Sequence, residues 1–168
     1  GFLTSSCCPA FVDYIHKSFP ELAEHISHNL SPMAAISKYI KEHEGECRIV
    51  FIGPCTAKKA EIKKEEVRQY VDSCLTFEEL QALFDSRDID VLDNASYYGR
   101  IFARSGGLSD AVKQALKENK IDDFELSPVP CDGIEECRVA LLKKSKNVLK
   151  GNFIEGMACV GGCIGGAG

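Results

Sequence analysis

Five of the nine cysteines sit in three widely separated loops flanked by proline and glycine. Cys7-Cys8-Pro9 lies near the start, Pro54-Cys55-Thr56-Ala57-Lys58-Lys59 in the first half, and Met157-Ala158-Cys159-Val160-Gly161-Gly162-Cys163 close to the end. Thiols scattered this way do not make one short metal finger, so a completed fold has to assemble them. Glycines beside the sulfurs leave room for something bulkier than a single ion. Thiolates are soft ligands, and this inventory points to iron–sulfur chemistry.

Cys159 and Cys163 are separated by Val160-Gly161-Gly162. Glycine admits backbone angles closed to other residues and brings amide N–H groups close to sulfur, where they tune a cluster's potential. Adding Cys8 and Cys55 gives four thiolates, the number a [4Fe–4S] cube requires. A single zinc ion held by four cysteines is the alternative, but such sites usually show two close C-x2-C pairs, which this chain lacks. Lys58 and Lys59 follow Cys55. Either one neutralises an anionic cluster or ligand nearby, or is an ordinary solvated lysine.

These loops need a scaffold, and the pattern around them predicts one. Pro9 followed by Phe11, Val12, Ile15 and Phe19 reads as an amphipathic helix starting directly after the cysteine pair. Ser31-Pro32 opens a second helix, with Met33, Ile36, Tyr39 and Ile40 expected on its apolar face. Residues 47–52 form a nearly continuous apolar run, expected to be a buried strand that ends at Gly53-Pro54. Cys55 and Lys58 then lie beyond the C-terminal end of a strand, where open α/β sheets bind ligands. A strand at 71–75 is followed by Thr76 and Glu79, a capping box for a helix through about Phe84. Ser105-Gly106-Gly107 precedes a helix carrying Leu108, Ala111, Val112, Ala115 and Leu116. A strand is expected at 124–129, a helix at 134–142, and a strand at 152–157 leading into the last cysteine loop. Residues 85–98 read as irregular. Alternating elements predict an α/β fold with mainly parallel pairing, divided into lobes at about 1–70 and 71–168.

A chain of 168 residues with 45% hydrophobic content has the size of one domain or two small lobes, and can bury roughly 70% of its unfolded surface. The net charge of −5, with acids and bases interspersed, offers no basic stripe for nucleic acid and no polybasic membrane anchor. No apolar run approaches the ~20 residues needed to span a bilayer. An odd cysteine count with no signal peptide argues for a reducing, cytoplasmic setting rather than for disulfides. The chain opens on Gly1, not Met, and the expectation is a fragment.

Three segments carry a resemblance. Cys7–Pro9, Pro54–Glu61 (Pro-Cys-Thr-Ala-Lys-Lys-Ala-Glu) and Phe153–Cys163 (Phe-Ile-Glu-Gly-Met-Ala-Cys-Val-Gly-Gly-Cys) resemble the signature segments of the catalytic domain of iron-only ([FeFe]) hydrogenases. They occur in the family's order and bracket nearly the whole chain. Between them, Phe102-Ala103-Arg104-Ser105-Gly106-Gly107 is similar to the family's Phe-Gly-Ala-Thr-Gly-Gly.

The resemblance implies roles residue by residue. Cys8, Cys55, Cys159 and Cys163 match the ligands of the [4Fe–4S] part of the H-cluster, with Cys163 also bridging to a di-iron subsite that carries CO and cyanide. Cys7 matches the thiol that exchanges protons with that subsite, and Lys58 the lysine that pairs with a cyanide. Met157 and Phe102 match residues walling the di-iron pocket, and Ser27 matches a proton-relay serine. Glu61 matches a glutamate of structural role. The implied fold is two small lobes of mainly parallel sheet flanked by helices, with the metal site in the cleft between them. The implied activity is reversible reduction of protons to hydrogen under anaerobic conditions. The implied partners are an electron carrier such as ferredoxin, or accessory Fe–S domains, and maturation proteins.

Departures mark a divergent subgroup. Gly53 stands where well-studied members have methionine, Phe11 where they have tryptophan, and Ser105 where they have threonine, while Ala167 interrupts the last glycine run. Family members also carry more catalytic-domain sequence upstream. Two alternatives share the motifs: an Fe–S assembly factor holding the cube without di-iron chemistry, and a hydrogen-sensing homologue. Joint retention of Cys7 and Lys58 favours the hydrogenase. Cys47 and Cys74 are expected in the core, Cys131 and Cys137 match no signature, and His16, His25 and His28 are expected to be at the surface or partly buried.

Overall fold

The computed structural model describes residues 1–87, 89, 103–121 and 124–167. The chain divides into two compact units. One is built on Gly1–His28 with Ala95–Gly165, the other on Asn29–Asn94. This differs from a single boundary near residue 70, because the N-terminal strand returns to pair with the C-terminal one.

The first unit holds a three-stranded parallel sheet in the order β1 (Leu3–Thr4), β5 (Phe153–Met157), β4 (Pro128–Asp132). Its helices are α1 (Pro9–Ser18), α5 (Gly107–Glu118) and α6 (Ile134–Ser145). β5 is central, and Ile154, Glu155, Gly156 and Met157 are all buried, as expected of a strand covered on both faces. Phe11 and Ile15 of α1, Leu141 of α6 and Ile154 are essentially inaccessible, each burial worth roughly 1.5–3 kcal/mol. A side chain at Gly156 would collide with the Phe11 ring. Glycine there lets the aromatic ring lie directly on the strand.

β4 starts later than the apolar content around Phe124 suggests. Among the described residues it is an edge strand, and it contains Pro128 and Pro130. Ser127 O accepts from Asn152 N (3.0 Å) and Gly133 N donates to Met157 O (2.9 Å), so the odd-numbered residues face β5. The prolines therefore point outward, where a missing N–H costs nothing. Asp132 N, also outward, donates to Glu136 Oε2 at 2.8 Å. The edge is left without an available amide donor at these three positions.

The second unit pairs β2 (Val50–Ile52) with β3 (Ser73–Leu75) in parallel. Its helices are α2 (Pro32–His43), the short α3 (Ala57–Glu61) and α4 (Phe77–Asp85). Ser31 caps α2 by accepting from Ala34 N. The buried face of α2 is Met33, Ala34 and Ser37, while Ile36 and Tyr39 are exposed. The face expected from the largest apolar residues is thus rotated toward small ones, which let α2 approach Val67 and Val71 in the core. The apolar run at 47–52 yields only three strand residues, with Val50 and Ile52 exposed. Cys47 is half-buried outside the strand, whereas Cys74 is buried. The capping box of α4 is complete: Glu79 N donates to Thr76 Oγ1 (3.2 Å) and Thr76 N to Glu79 Oε2 (2.9 Å). Most of the stretch expected to be irregular lies outside the described residues.

Candidate metal centre

In the first unit, the thiol loops stand at the ends of β1 and β5. Cys8 occupies the N-cap position of α1, with Pro9 as the first helical residue and Val12 N donating to Cys8 O at 3.1 Å. Cys7, Cys8, Met157 and Cys163 belong to one packed cluster, with Cys8 and Met157 buried. Burial, and next the neighbouring Cys8, push the Cys7 thiol up to about 12. Glu155 and Cys163 act in the same direction, and a hydrogen bond with Ser5 opposes them. Cys7 therefore holds its proton at neutral pH. Ser5 Oγ also accepts from Gly156 N (3.1 Å), tying the loop before Cys7 to the strand that leads to Cys159.

The last cysteine loop is pinned from two sides. Gly161 N donates to Asp132 Oδ1 (2.7 Å) and Cys163 N to Ala103 O (2.7 Å). Gly161 and Gly162 take φ values of +84° and +72°, a region that favours glycine. A Cβ on Gly162 would lie 2.6 Å from Ala103 O and from Ser105 N. Only a glycine allows the Cys163 segment to lie against the Ala103–Ser105 turn.

Glu155 was not singled out by sequence reasoning, although a carboxylate amid the apolar residues of a buried strand is the available sign. It is fully buried on β5. Its Oε1 accepts from Leu108 N (3.2 Å), and its Oε2 from Ser109 N (2.8 Å) and Ser109 Oγ (2.5 Å). The carboxylate thus caps the first turn of α5, where amides are otherwise unpaired and the helix dipole favours negative charge.

In the second unit, Cys55 precedes α3 and is half-buried. Lys58 and Glu61, on successive turns of α3, are both buried at 6% exposure and pair at 2.6 Å. Lys58 is therefore no solvated surface lysine. Lys59 instead reaches Glu79 at 2.6 Å. Burial raises the Cys74 thiol, with Cys55 adding to the effect. Ser27, half-buried in the first unit, donates its backbone N–H to Thr4 O (3.0 Å). Phe102 lies outside the described residues. His16 and His28 are exposed, and His25 is partly buried.

The donor set fits an iron–sulfur group in its chemistry. Cys8, Cys159 and Cys163 are soft ligands from one unit, the last two flanking the Gly161-Gly162 turn, and Cys55 is a fourth thiol in the other unit. Among the described residues, no three His, Cys, Asp or Glu side chains are grouped to hold a single metal ion; of the four candidate ligands, Cys8 and Cys163 share one packed cluster.

Parallel strands ending in cysteine and glycine loops define a protein of the α/β class. The chain belongs to the family described as iron only hydrogenase large subunit, C-terminal domain, whose model matches residues 1–167. It is 29% identical to iron hydrogenase 1 of Clostridium pasteurianum over 98% of its own length and 37% of the relative's. It is 28% identical to the periplasmic [Fe] hydrogenase large subunit of Nitratidesulfovibrio vulgaris, over 98% of this chain and 50% of that one. A cytosolic Fe–S cluster assembly factor of Kluyveromyces lactis is 36% identical over 54% of this chain and 19% of its own. Among solved structures, an [FeFe]-hydrogenase from Chlamydomonas reinhardtii superposes with a TM-score of 0.66 at 19% identity, covering 99% of this chain and 61% of that one. The fold is therefore shared, and the chain spans half or less of these two hydrogenases. No helix among the described residues is long and apolar enough to cross a membrane.

Proposed function

We propose that this chain is catalytic-domain sequence of an iron-only hydrogenase, contributing to the reversible reduction of protons to molecular hydrogen. Cys8, Cys55, Cys159 and Cys163 would hold a [4Fe–4S] cube, and Cys163 would also bridge to a di-iron unit. When bound, that pair of groups supplies the electrons and the open iron position at which hydrogen is made or split.

The protein's own part is to hold, orient and move protons. Cys7, a half-buried thiol adjacent in sequence to the proposed ligand Cys8, is the observation that carries the reading. A cube scaffold needs Cys8 and has no use for a second titratable group beside it. Lys58, held inside by Glu61, would present an ammonium to an anionic ligand of the di-iron unit. Met157 and Phe102 would wall that unit, and Ser27 would extend the proton route. Electrons would come from a carrier such as ferredoxin or from accessory Fe–S domains, and maturation proteins would install the di-iron unit. A cytoplasmic, anaerobic setting suits such a centre.

Similarity to cytosolic Fe–S assembly factors over half the chain supports a second reading, in which only the cube is held. Infrared spectroscopy of protein matured with the hydrogenase maturation proteins separates the two. Bands of iron-bound CO and cyanide are expected. Their absence from protein that contains the cube would assign it to the assembly-factor class.

A further inference from the structure

Cys159 is flanked on both sides by residues tied to a single turn. β4 ends at Asp132, and Gly133 leads from it into α6 at φ +90°. Gly133 N donates to Met157 O at 2.9 Å, two residues before Cys159. Asp132 Oδ1 accepts from Gly161 N at 2.7 Å, two residues after it. Gly133 also lies against Val160, where a Cβ would stand 2.8 Å from Val160 Cγ2. The turn is itself held. Asp132 N donates to Glu136 Oε2 at 2.8 Å, and Cys137 N to Gly133 O at 3.2 Å. Cys137 Sγ–H also donates to Met157 O at 3.6 Å.

Three amides of the cysteine loop are thereby allotted to oxygen. Gly161 N goes to Asp132, Gly162 N to Cys159 O at 3.1 Å, and Cys163 N to Ala103 O at 2.7 Å. Of these three acceptors, Asp132 Oδ1 alone belongs to a side chain. A carboxylate accepting from an amide makes a charge-assisted bond, stronger than one between neutral groups. Gly161 and Gly162 give the loop its turn, but glycine also leaves a backbone many conformations to choose from. A fixed acceptor is what selects one of them.

We propose that Asp132 is a positioning residue, which fixes the orientation of Cys159 and Cys163 toward the iron–sulfur group. The inference rests on the reading of these two cysteines as cluster ligands. Groups bonded behind a ligand orient it, and losing one typically weakens the hold on the metal about 10–100-fold. Asp132 acts in this way through the Gly161 amide, while Gly133 fixes the other flank of Cys159 through Met157 O.

The test is the rate at which anaerobically reconstituted protein gives up iron to excess bathophenanthroline disulfonate. Asp132→Ala should release iron about 10–100-fold faster than wild type. Asp132→Asn keeps an oxygen at Oδ1 and should stay near the wild-type rate, a rescue that a general loss of stability would not produce. Asp132→Ser, whose hydroxyl stops one bond short, repeats the measurement should the alanine variant not fold. Before reconstitution, amide hydrogen exchange at Gly161 should quicken in Asp132→Ala while exchange within α6 stays as in wild type. Iron release at the wild-type rate from Asp132→Ala or Asp132→Ser would overturn the proposal, as would release from Asp132→Asn as fast as from Asp132→Ala. In either case the ligand reading stands, because wild type has loaded. Wild type that takes up no iron and sulfide overturns the ligand reading itself, and this inference with it.

Discussion

Lys58 Nζ lies 2.6 Å from Glu61 Oε2, and both side chains are withdrawn from water on one short helix. The pair gives a lysine withdrawn from water a carboxylate partner three residues after a candidate ligand cysteine. Breaking a buried pair from one side leaves an uncompensated charge, at a cost of about 3–5 kcal/mol. Glu61→Gln should therefore lower the denaturation midpoint by far more than Lys59→Gln, which breaks an exposed pair worth about 0–1 kcal/mol. Equal small effects in urea titrations would contradict the assignment.

Glu155 joins β5 to the first turn of α5 through three hydrogen bonds. Hydrogen bonds to a charged group contribute about 1.5–3 kcal/mol each. Glu155→Ala should thus be among the most destabilising single changes in the first unit, with Ser109→Ala costing clearly less. Amide hydrogen exchange offers a local readout. Faster exchange at Leu108 and Ser109 is expected in Glu155→Ala, and unchanged rates there would count against the capping role.

Thr4 Oγ1 is buried and has no hydrogen-bond partner among the described residues. A buried hydroxyl left unsatisfied costs about 1–3 kcal/mol. Thr4→Val keeps the shape and removes the hydroxyl, so its thermal midpoint should equal or exceed that of wild type. A clear loss of stability would show that the hydroxyl is satisfied.

Asp72 accepts from Ile49 N (2.8 Å) and Lys41 Nζ (3.0 Å). The Ile49 amide and then Lys41 hold its carboxyl below the usual carboxylate range. A carboxyl with a depressed folded-state pKa contributes stability above its unfolded pKa and loses it as pH falls through the folded one. Asp72→Asn should therefore be less stable than wild type at neutral pH, with the gap closing below about pH 4. A gap that persists at low pH would mean the effect is steric.

Much of this architecture was legible in the sequence where local chemistry dictates it. Pro9 after Cys8, Ser31-Pro32, and Thr76 with Glu79 each marked a helix start that the structure has. Tertiary context decided the rest. Val50 and Ile52 read as buried because they are apolar, but among the described residues β2 pairs only with β3, and both side chains are exposed. β4 was displaced because prolines are tolerated on an outward-facing edge, a property of sheet order that no local pattern carries. The cysteine loops stood out by residue type. Glu155, Asp132 and Ser5, which hold those loops in place, are ordinary polar residues until the fold supplies their partners.

The central claim is that this fold holds iron and sulfide through Cys8, Cys55, Cys159 and Cys163. Iron and acid-labile sulfide assays on anaerobically reconstituted protein test it most directly, with wild type compared against single Ala variants of these cysteines and of Cys47. About four iron and four sulfide per chain are expected for wild type and Cys47→Ala, as a cube requires. Each of the four ligand variants should fall well short of that content. Full content in Cys55→Ala or Cys163→Ala, or no sulfide in wild type, would contradict the account.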